Sequence, residues 1–226
     1  MILSKTNIYI PGKGNEQLFL HDLDLECDDG VHLKVDAHIP DEPLIVRHLA
    51  RYHFLSGFCR SGNRVLDFPC GSGYGVTLMP RSVRYEGRDL SDPSIRYAKS
   101  LYGHLGTFIR DDLTNPHLDN QVEGYDVIGC IEGLEHIDRD DQLLLVPRLA
   151  AALTTTGLLI ISSPESNRGV SSANPLNKYH RHELIRDDFE ALIHRSFSWV
   201  EIVTQVDRLH TGEVHRCFYA VCRNPR

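Results

Sequence analysis

From Arg64 onward, short apolar runs alternate with helix-patterned stretches, and that alternation leaves few folds open. The spacing predicts strands over Arg64–Phe68, Arg84–Asp89, Thr107–Arg110, Tyr125–Ile131 and Gly157–Ser162. Helices are predicted over Pro93–Tyr102, Arg139–Leu153 and Arg186–His194, and strand-like runs at Trp199–Gln205 and Val214–Cys222 end the chain. Right-handed crossovers then stack the first five strands into a mainly parallel sheet. Ligands of such sheets bind at the carboxyl ends of the strands, near a topological switch.

The segment before this alternation reads as an extension. Val31, Leu33, Val35, Ala37 and Ile39 alternate with polar residues, as a half-buried strand does. Asp28-Asp29-Gly30 is a turn signal, and Leu18, Leu20, Leu23 and Leu25 precede it, so a hairpin is expected. Asp41 is placed to cap a helix with Pro43 in its first turn, running through Leu44, Val46, Leu49, Tyr52 and Leu55. At 226 residues, the chain has room for such an extension over 1–60 and one α/β domain over 61–226. A net charge of -7 argues against a polyanionic partner such as nucleic acid. Cys27, Cys59, Cys70, Cys130, Cys217 and Cys222 include no Cys-x-x-Cys pair, and no apolar run reaches membrane-spanning length. Both features predict a cytoplasmic protein without membrane contact. A homodimer through the alternating strand is left open.

The most informative stretch is Val65-Leu66-Asp67-Phe68-Pro69-Cys70-Gly71-Ser72-Gly73-Tyr74-Gly75, an apolar strand ending in an acid and a glycine-rich turn, with a helix expected after it. Glycine lets backbone approach a ligand closely and adopts positive φ at little cost. The next strand ends in Gly87-Arg88-Asp89-Leu90-Ser91, where an acid can accept hydrogen bonds from ribose hydroxyls. Asp111-Asp112-Leu113 follows the third strand, where an acid can accept from an adenine amino group with Leu113 or Leu90 against the ring. Singly, each acid is more often a helix cap or a solvated loop residue. Three acids at three successive strand tips beside a glycine turn point to a nucleoside ligand.

On these residues the chain from about Arg64 to its end resembles the class I S-adenosylmethionine-dependent methyltransferases. Val65–Gly75 looks like their first motif, Asp89 like their ribose acid and Asp112 like their adenine acid. Tyr125–Glu132 is similar to their fourth motif, and Leu153–Ser163 to the usual turn and fifth strand, with Thr154-Thr155-Thr156-Gly157 departing from the commoner Pro-Gly-Gly. The resemblance implies a Rossmann-like three-layer sandwich around a mostly parallel seven-stranded sheet whose last strand is antiparallel. It implies S-adenosylmethionine as cofactor, S-adenosylhomocysteine as product, and a cofactor site of Asp67, Gly71, Gly73, Asp89, Leu90, Asp112, Leu113 and Ile131. Val76 stands where a nicotinamide-cofactor fingerprint needs its third glycine.

Glu132-Gly133-Leu134-Glu135-His136 follows the fourth strand, and Asn174–Glu183, with His180 and His182, follows the fifth. Methyl transfer is an in-line displacement, so positioning and deprotonating the acceptor are the main tasks of such a protein. His136 and His180 are the candidate bases, with Glu135 orienting His136 or bonding the acceptor. Alternatively, Glu132, Glu135 and His136, joined by His180 or His182, are candidate ligands of Mg²⁺ or Mn²⁺, which would lower the pKa of a hydroxyl acceptor. The plainest alternative is that Glu135 and His136 open a loop and cap the following helix. The Glu-x-x-Glu-His string is similar to one in ubiquinone-pathway O-methyltransferases and in small-RNA 3′-end 2′-O-methyltransferases, where a metal role is expected. Ile8-Tyr9-Ile10-Pro11, His48–Tyr52, Asn174–Glu183 and Asp188-Phe189 resemble methyltransferases found with bacterial polysaccharide and glycan synthesis. Arg51 and Tyr52 could reach the cofactor carboxylate or the acceptor, or simply cover the apolar stripe of their helix.

The leading expectation is therefore O-methylation of a sugar, a glycan precursor or another small hydroxylated metabolite. A metal-assisted RNA 2′-O-methyltransferase and a non-catalytic cofactor-binding protein are the alternatives.

Overall fold

The structure is a computed structural model that describes residues 7–10, 18–37, 42–118, 123–208, 212 and 214–226. The main sheet has seven strands: β4 (Arg64–Asp67), β5 (Arg84–Asp89), β6 (Thr107–Arg110), β7 (Tyr125–Cys130), β8 (Leu153–Pro164), β9 (Phe197–Arg208) and β10 (Val214–Pro225). Their order is β6-β5-β4-β7-β8-β10-β9, and β10 runs antiparallel to both of its neighbours. The sheet is therefore the expected one, parallel except for its last strand. The order reverses direction between β4 and β7, which opens a crevice at the carboxyl ends of those strands.

Helix α2 (Asp92–Tyr102) is N-capped by Ser91, whose hydroxyl accepts from the Ser94 N–H, and Pro93 sits in its first turn. It buries Ile95, Tyr97, Ala98 and Tyr102 and shares an apolar cluster with Val65, Tyr85 and Phe108. On the opposite face, α3 (Arg139–Ala151) and α4 (Arg186–His194) bury Leu145, Val146, Leu149, Phe189 and Ile193 against Leu66, Ile128, Leu159 and Phe218. Helix, sheet and helix make the three layers.

Two local features depart from the sequence pattern. After the glycine turn the chain forms only a 3-10 turn, Tyr74–Leu78, rather than a full helix. Gly73 enters it at φ 81, where an added Cβ would meet Ala98 at 2.6 Å, and Pro80 holds Met79 extended at its end. Thr154–Gly157 is not a turn but part of β8, as a β-branched run favours, with a register shift between Tyr125 and Val127 absorbing the extra length.

The extension forms a second sheet, β1 (Asn7–Ile10), β3 (His32–Val35) and β2 (Leu23–Glu26), followed by α1 (Glu42–Ser56). β2 and β3 make the expected antiparallel hairpin around Gly30, at φ 79. The proposed cap at Asp41 and the residues Pro11 and Ile39 lie outside the described residues. Leu18, Phe19, Leu33 and Val35 belong to the same apolar cluster as Leu55, Val65 and Tyr97, so extension and main sheet share one core. The Ser72 hydroxyl in the glycine turn donates to the Leu18 carbonyl, and Tyr97 exchanges hydrogen bonds with the backbone of His21. Among the described residues, no helix is long and apolar enough to cross a membrane.

Candidate active site

The tips of β4, β5, β6 and β7 bring the predicted cofactor residues to one edge of the sheet. Asp89, buried at the end of β5, accepts the Gly71 N–H at 2.9 Å and the Ser91 N–H at 2.8 Å, so one carboxylate ties the glycine turn to the start of α2. Burial raises its pKa, with those two N–H groups and nearby His136 pulling the other way. Asp67 is enclosed beneath the turn, where the Tyr85 hydroxyl donates to its Oδ2 at 2.5 Å and its Oδ1 has no partner. Burial pushes its carboxyl up to about 7.

Past β6 the two adjacent acids separate. Asp111 is buried against Arg88 and His117, whereas Asp112 accepts the Thr114 N–H and hydroxyl, both at 2.9 Å and both on Oδ1. Leu113 and Ile131 are buried, and Leu90 stands 54% exposed at the same edge.

The acceptor candidates divide. Glu132 adopts φ 51, a conformation costly for a side chain with a Cβ. The Ser162 hydroxyl accepts its N–H and donates to its Oε1, both at 2.9 Å. Cys217 Sγ also reaches Oε1 at 2.9 Å, and Arg51 meets Oε2 at 3.0 Å. Burial alone would raise the Glu132 pKa, but Arg51 and these bonds outweigh it and hold the group ionised. Glu132 is thus drawn to Arg51 and away from the other metal candidates. Arg51 is a buried ion-pair partner rather than a cover for the helix stripe, while Tyr52 packs in the core against Tyr74.

Glu135, His136 and His180 do come together, with one ligating atom from each within 4.8 Å of the others. Gly133 lets the chain after β7 lie close against the glycine-turn loop, since a Cβ there would meet Pro69 at 2.5 Å. His136 Nδ1 faces the Tyr179 carbonyl at 3.0 Å, and His180 Nδ1 faces Glu183 Oε1 at 2.6 Å. Each partner is an acceptor, so each Nδ1 carries a proton, and in the neutral ring Nε2 keeps its lone pair. The ring centroids are 5.2 Å apart and nearly perpendicular. Glu135 is buried with Oε2 unpartnered, and burial followed by the charge of Glu132 pushes its carboxyl well above the usual range. The carboxyl pKa values of two neighbouring glutamates are thus moved in opposite directions, a pattern common at reactive sites. Neither Glu135 nor His136 caps α3, whose N-cap position is held by Asp138, itself bound to Arg181.

Glu183 is the functional residue whose role the sequence did not signal. It gathers Arg168, Asn174 and His180 on one buried carboxylate, and only its spacing of three from His180 hints at this. Ser162 and Cys217 lie inside apolar strands and gave no signal. His182 contributes its backbone N–H to the Glu135 carbonyl and is not one of the three converging groups.

A family model described as a methyltransferase domain matches residues 41–199. The ubiquinone biosynthesis O-methyltransferase of Xylella fastidiosa is 30% identical over 132 residues, 57% of this chain and 53% of that protein. The phthiotriol/phenolphthiotriol dimycocerosates methyltransferase of Mycobacterium tuberculosis is 29% identical over 126 residues, covering 54% and 45%. The chain therefore spans about half the length of the curated relatives it matches. Among solved structures, the N-methyltransferase NodS from Bradyrhizobium japonicum, bound to S-adenosylhomocysteine, superposes with a TM-score of 0.61 at 16% identity, over 82% of this chain and 89% of that one. The match over most of the chain, on a sheet of this order, means that the protein belongs to the methyltransferase-domain family and has the fold of the class I S-adenosylmethionine-dependent methyltransferases.

Proposed function

We propose that the protein transfers a methyl group from S-adenosylmethionine to a hydroxyl oxygen of a small acceptor, with Glu135, His136 and His180 acting as one unit on that hydroxyl. The observation that carries this is the meeting of two imidazoles, each with its Nδ1 proton engaged, at the buried carboxyl group of Glu135, whose Oε2 has no hydrogen-bond partner among the described residues. Asp89 and Asp112 hold the nucleoside, Asp67 and the Gly71–Gly73 turn lie under its methionine end, and Leu90, Leu113 and Ile131 enclose the base.

The two nitrogens and one oxygen suit a divalent cation of the Mn²⁺ type better than Mg²⁺, which favours oxygen ligands. Such an ion, when bound, would act as a Lewis acid that lowers the pKa of a hydroxyl acceptor. Glu183 and the Tyr179 carbonyl keep the two rings turned toward the acceptor, and Glu135 would supply the carboxylate ligand of such an ion. Without a cation, His136 Nε2 is the base that receives the hydroxyl proton, its ring held by the Tyr179 carbonyl, and Glu135, 4.0 Å from Nε2, is placed to bond the acceptor.

A sugar or glycan precursor is the acceptor class proposed first. The Xylella relative is an O-methyltransferase by name, which supports oxygen as the acceptor atom. His136→Ala and Glu135→Ala are expected to lower turnover by about 10²–10⁴ while S-adenosylhomocysteine affinity stays within about threefold. The check is cofactor conversion with sugars, catechols and phenols. Equal losses of turnover and cofactor affinity would move both residues into the cofactor pocket, and conversion with amines alone would overturn oxygen as the acceptor.

A further inference from the structure

We propose that Arg88, through Asp111, is a positioning residue for the purine end of the cofactor site: the buried pair braces the loop that presents Asp112 and Leu113. The inference rests on Asp112 as the adenine acid. Arg88 directly precedes Asp89 on β5, and the alternation of a strand sends the two side chains to opposite faces. While Asp89 pins the glycine turn, Arg88 reaches the loop after β6.

Its bonds are directional and nearly complete. Arg88 Nε donates to Glu86 Oε1 at 2.7 Å, Nη1 donates to Asp111 Oδ2 at 2.6 Å and to the His117 carbonyl at 2.9 Å, and Nη2 lies 3.4 Å from the Tyr125 hydroxyl. Asp111 in turn accepts the Asp112 N–H at 2.9 Å and the His117 ring Nδ1 at 2.8 Å on Oδ1, and the His117 N–H at 3.1 Å on Oδ2. One ion pair therefore holds both the start and the end of the loop 111–117. Asp111 is fastened inward, which leaves its neighbour Asp112 as the acid at the cleft.

A buried ion pair is a poor source of stability, because well-packed apolar side chains in its place are often as stable. What it supplies is fixed orientation, from the planar fork of the guanidinium. Nothing about a parallel sheet requires an arginine at this position, where an apolar residue would fill the layer between sheet and loop. The pair is explained by what the loop must present.

The test compares two ligands of the intact protein by calorimetry: S-adenosylhomocysteine, and S-inosylhomocysteine, in which a carbonyl oxygen replaces the adenine amino group. The parent is expected to prefer the amino form by about tenfold or more, the worth of one hydrogen bond to a charged acceptor. Arg88→Lys keeps the charge and loses the fork, and Asp111→Asn keeps the shape and loses the charge. Each is expected to bring the preference to within about threefold, mainly through weaker binding of the amino form. Should Arg88→Lys not fold, Asp111→Asn carries the same reading. Equal weakening toward both ligands, or an unchanged preference, would overturn the strut and leave the pair as packing. Asp112→Ala separates the two assignments. If it abolishes the preference while the strut variants keep it, only the strut fails; if all three keep it, the adenine assignment fails as well.

Discussion

Asp67 carries a carboxyl group where water cannot reach it, and pH tests the consequence. Burial pushes it up to about 7 from an ordinary 3.8, despite the hydrogen bond from Tyr85. Between those values the folded chain holds a proton that the unfolded chain has released. This group's contribution to stability therefore falls as pH rises through that window and levels off above it. Asp67→Asn is expected to be more stable than the parent by a few kcal/mol at about pH 8, and by clearly less at about pH 5, in urea unfolding. An equal gain at both pH values would contradict the burial argument. At Asp89, replacement by Ala removes the ribose acceptor and frees the Gly71 N–H it holds. Affinity for S-adenosylhomocysteine should fall by at least about tenfold, and unchanged affinity would contradict the ribose assignment. Asp89 was legible because it ends a strand beside a glycine turn. The choice between Asp111 and Asp112 rested on resemblance alone, since only the contact with Arg88, from another strand, shows which acid turns inward.

The strands were legible as elements because an apolar run between turn signals fixes both the strand and its ends. Arg84–Asp89 and Thr107–Arg110 form as the pattern predicts. The helix expected after the glycine turn does not form: Pro80 was a visible stop, but the packing of Gly73 against Ala98 and Phe108 comes from later parts of the chain and was not legible. The N-terminal hairpin was visible in the alternation of Val31, Leu33 and Val35, but its docking on α2 and the glycine turn was not. That docking ties the extension to the glycine turn, through the bond from the Ser72 hydroxyl to the Leu18 carbonyl. Ser72→Ala leaves a buried carbonyl without a donor, at a cost of about 1–3 kcal/mol. A lower thermal midpoint together with weaker binding of S-adenosylhomocysteine is expected. A lower midpoint with unchanged binding would limit the contact to folding.

At the scale of the whole molecule, the reversal of strand order between β4 and β7 decides where chemistry can occur. Glu135 and His136 leave β7 on one side of the crevice, and the segment after β8 returns His180 to them across the sheet edge. The sequence could name all three residues, because acids and imidazoles after strand tips are conspicuous. It grouped Glu132 with them because spacing along the chain cannot show that Arg51, from the extension, takes that carboxylate. The most direct test of the central claim is a calorimetric titration of Mn²⁺ into the protein saturated with S-adenosylhomocysteine, with Glu135→Ala and Glu132→Gln alongside. One site is expected in the parent and in Glu132→Gln, and none in Glu135→Ala. No heat in the parent, or a site that survives loss of Glu135 and disappears with Glu132, would contradict a cation-holding unit of Glu135, His136 and His180.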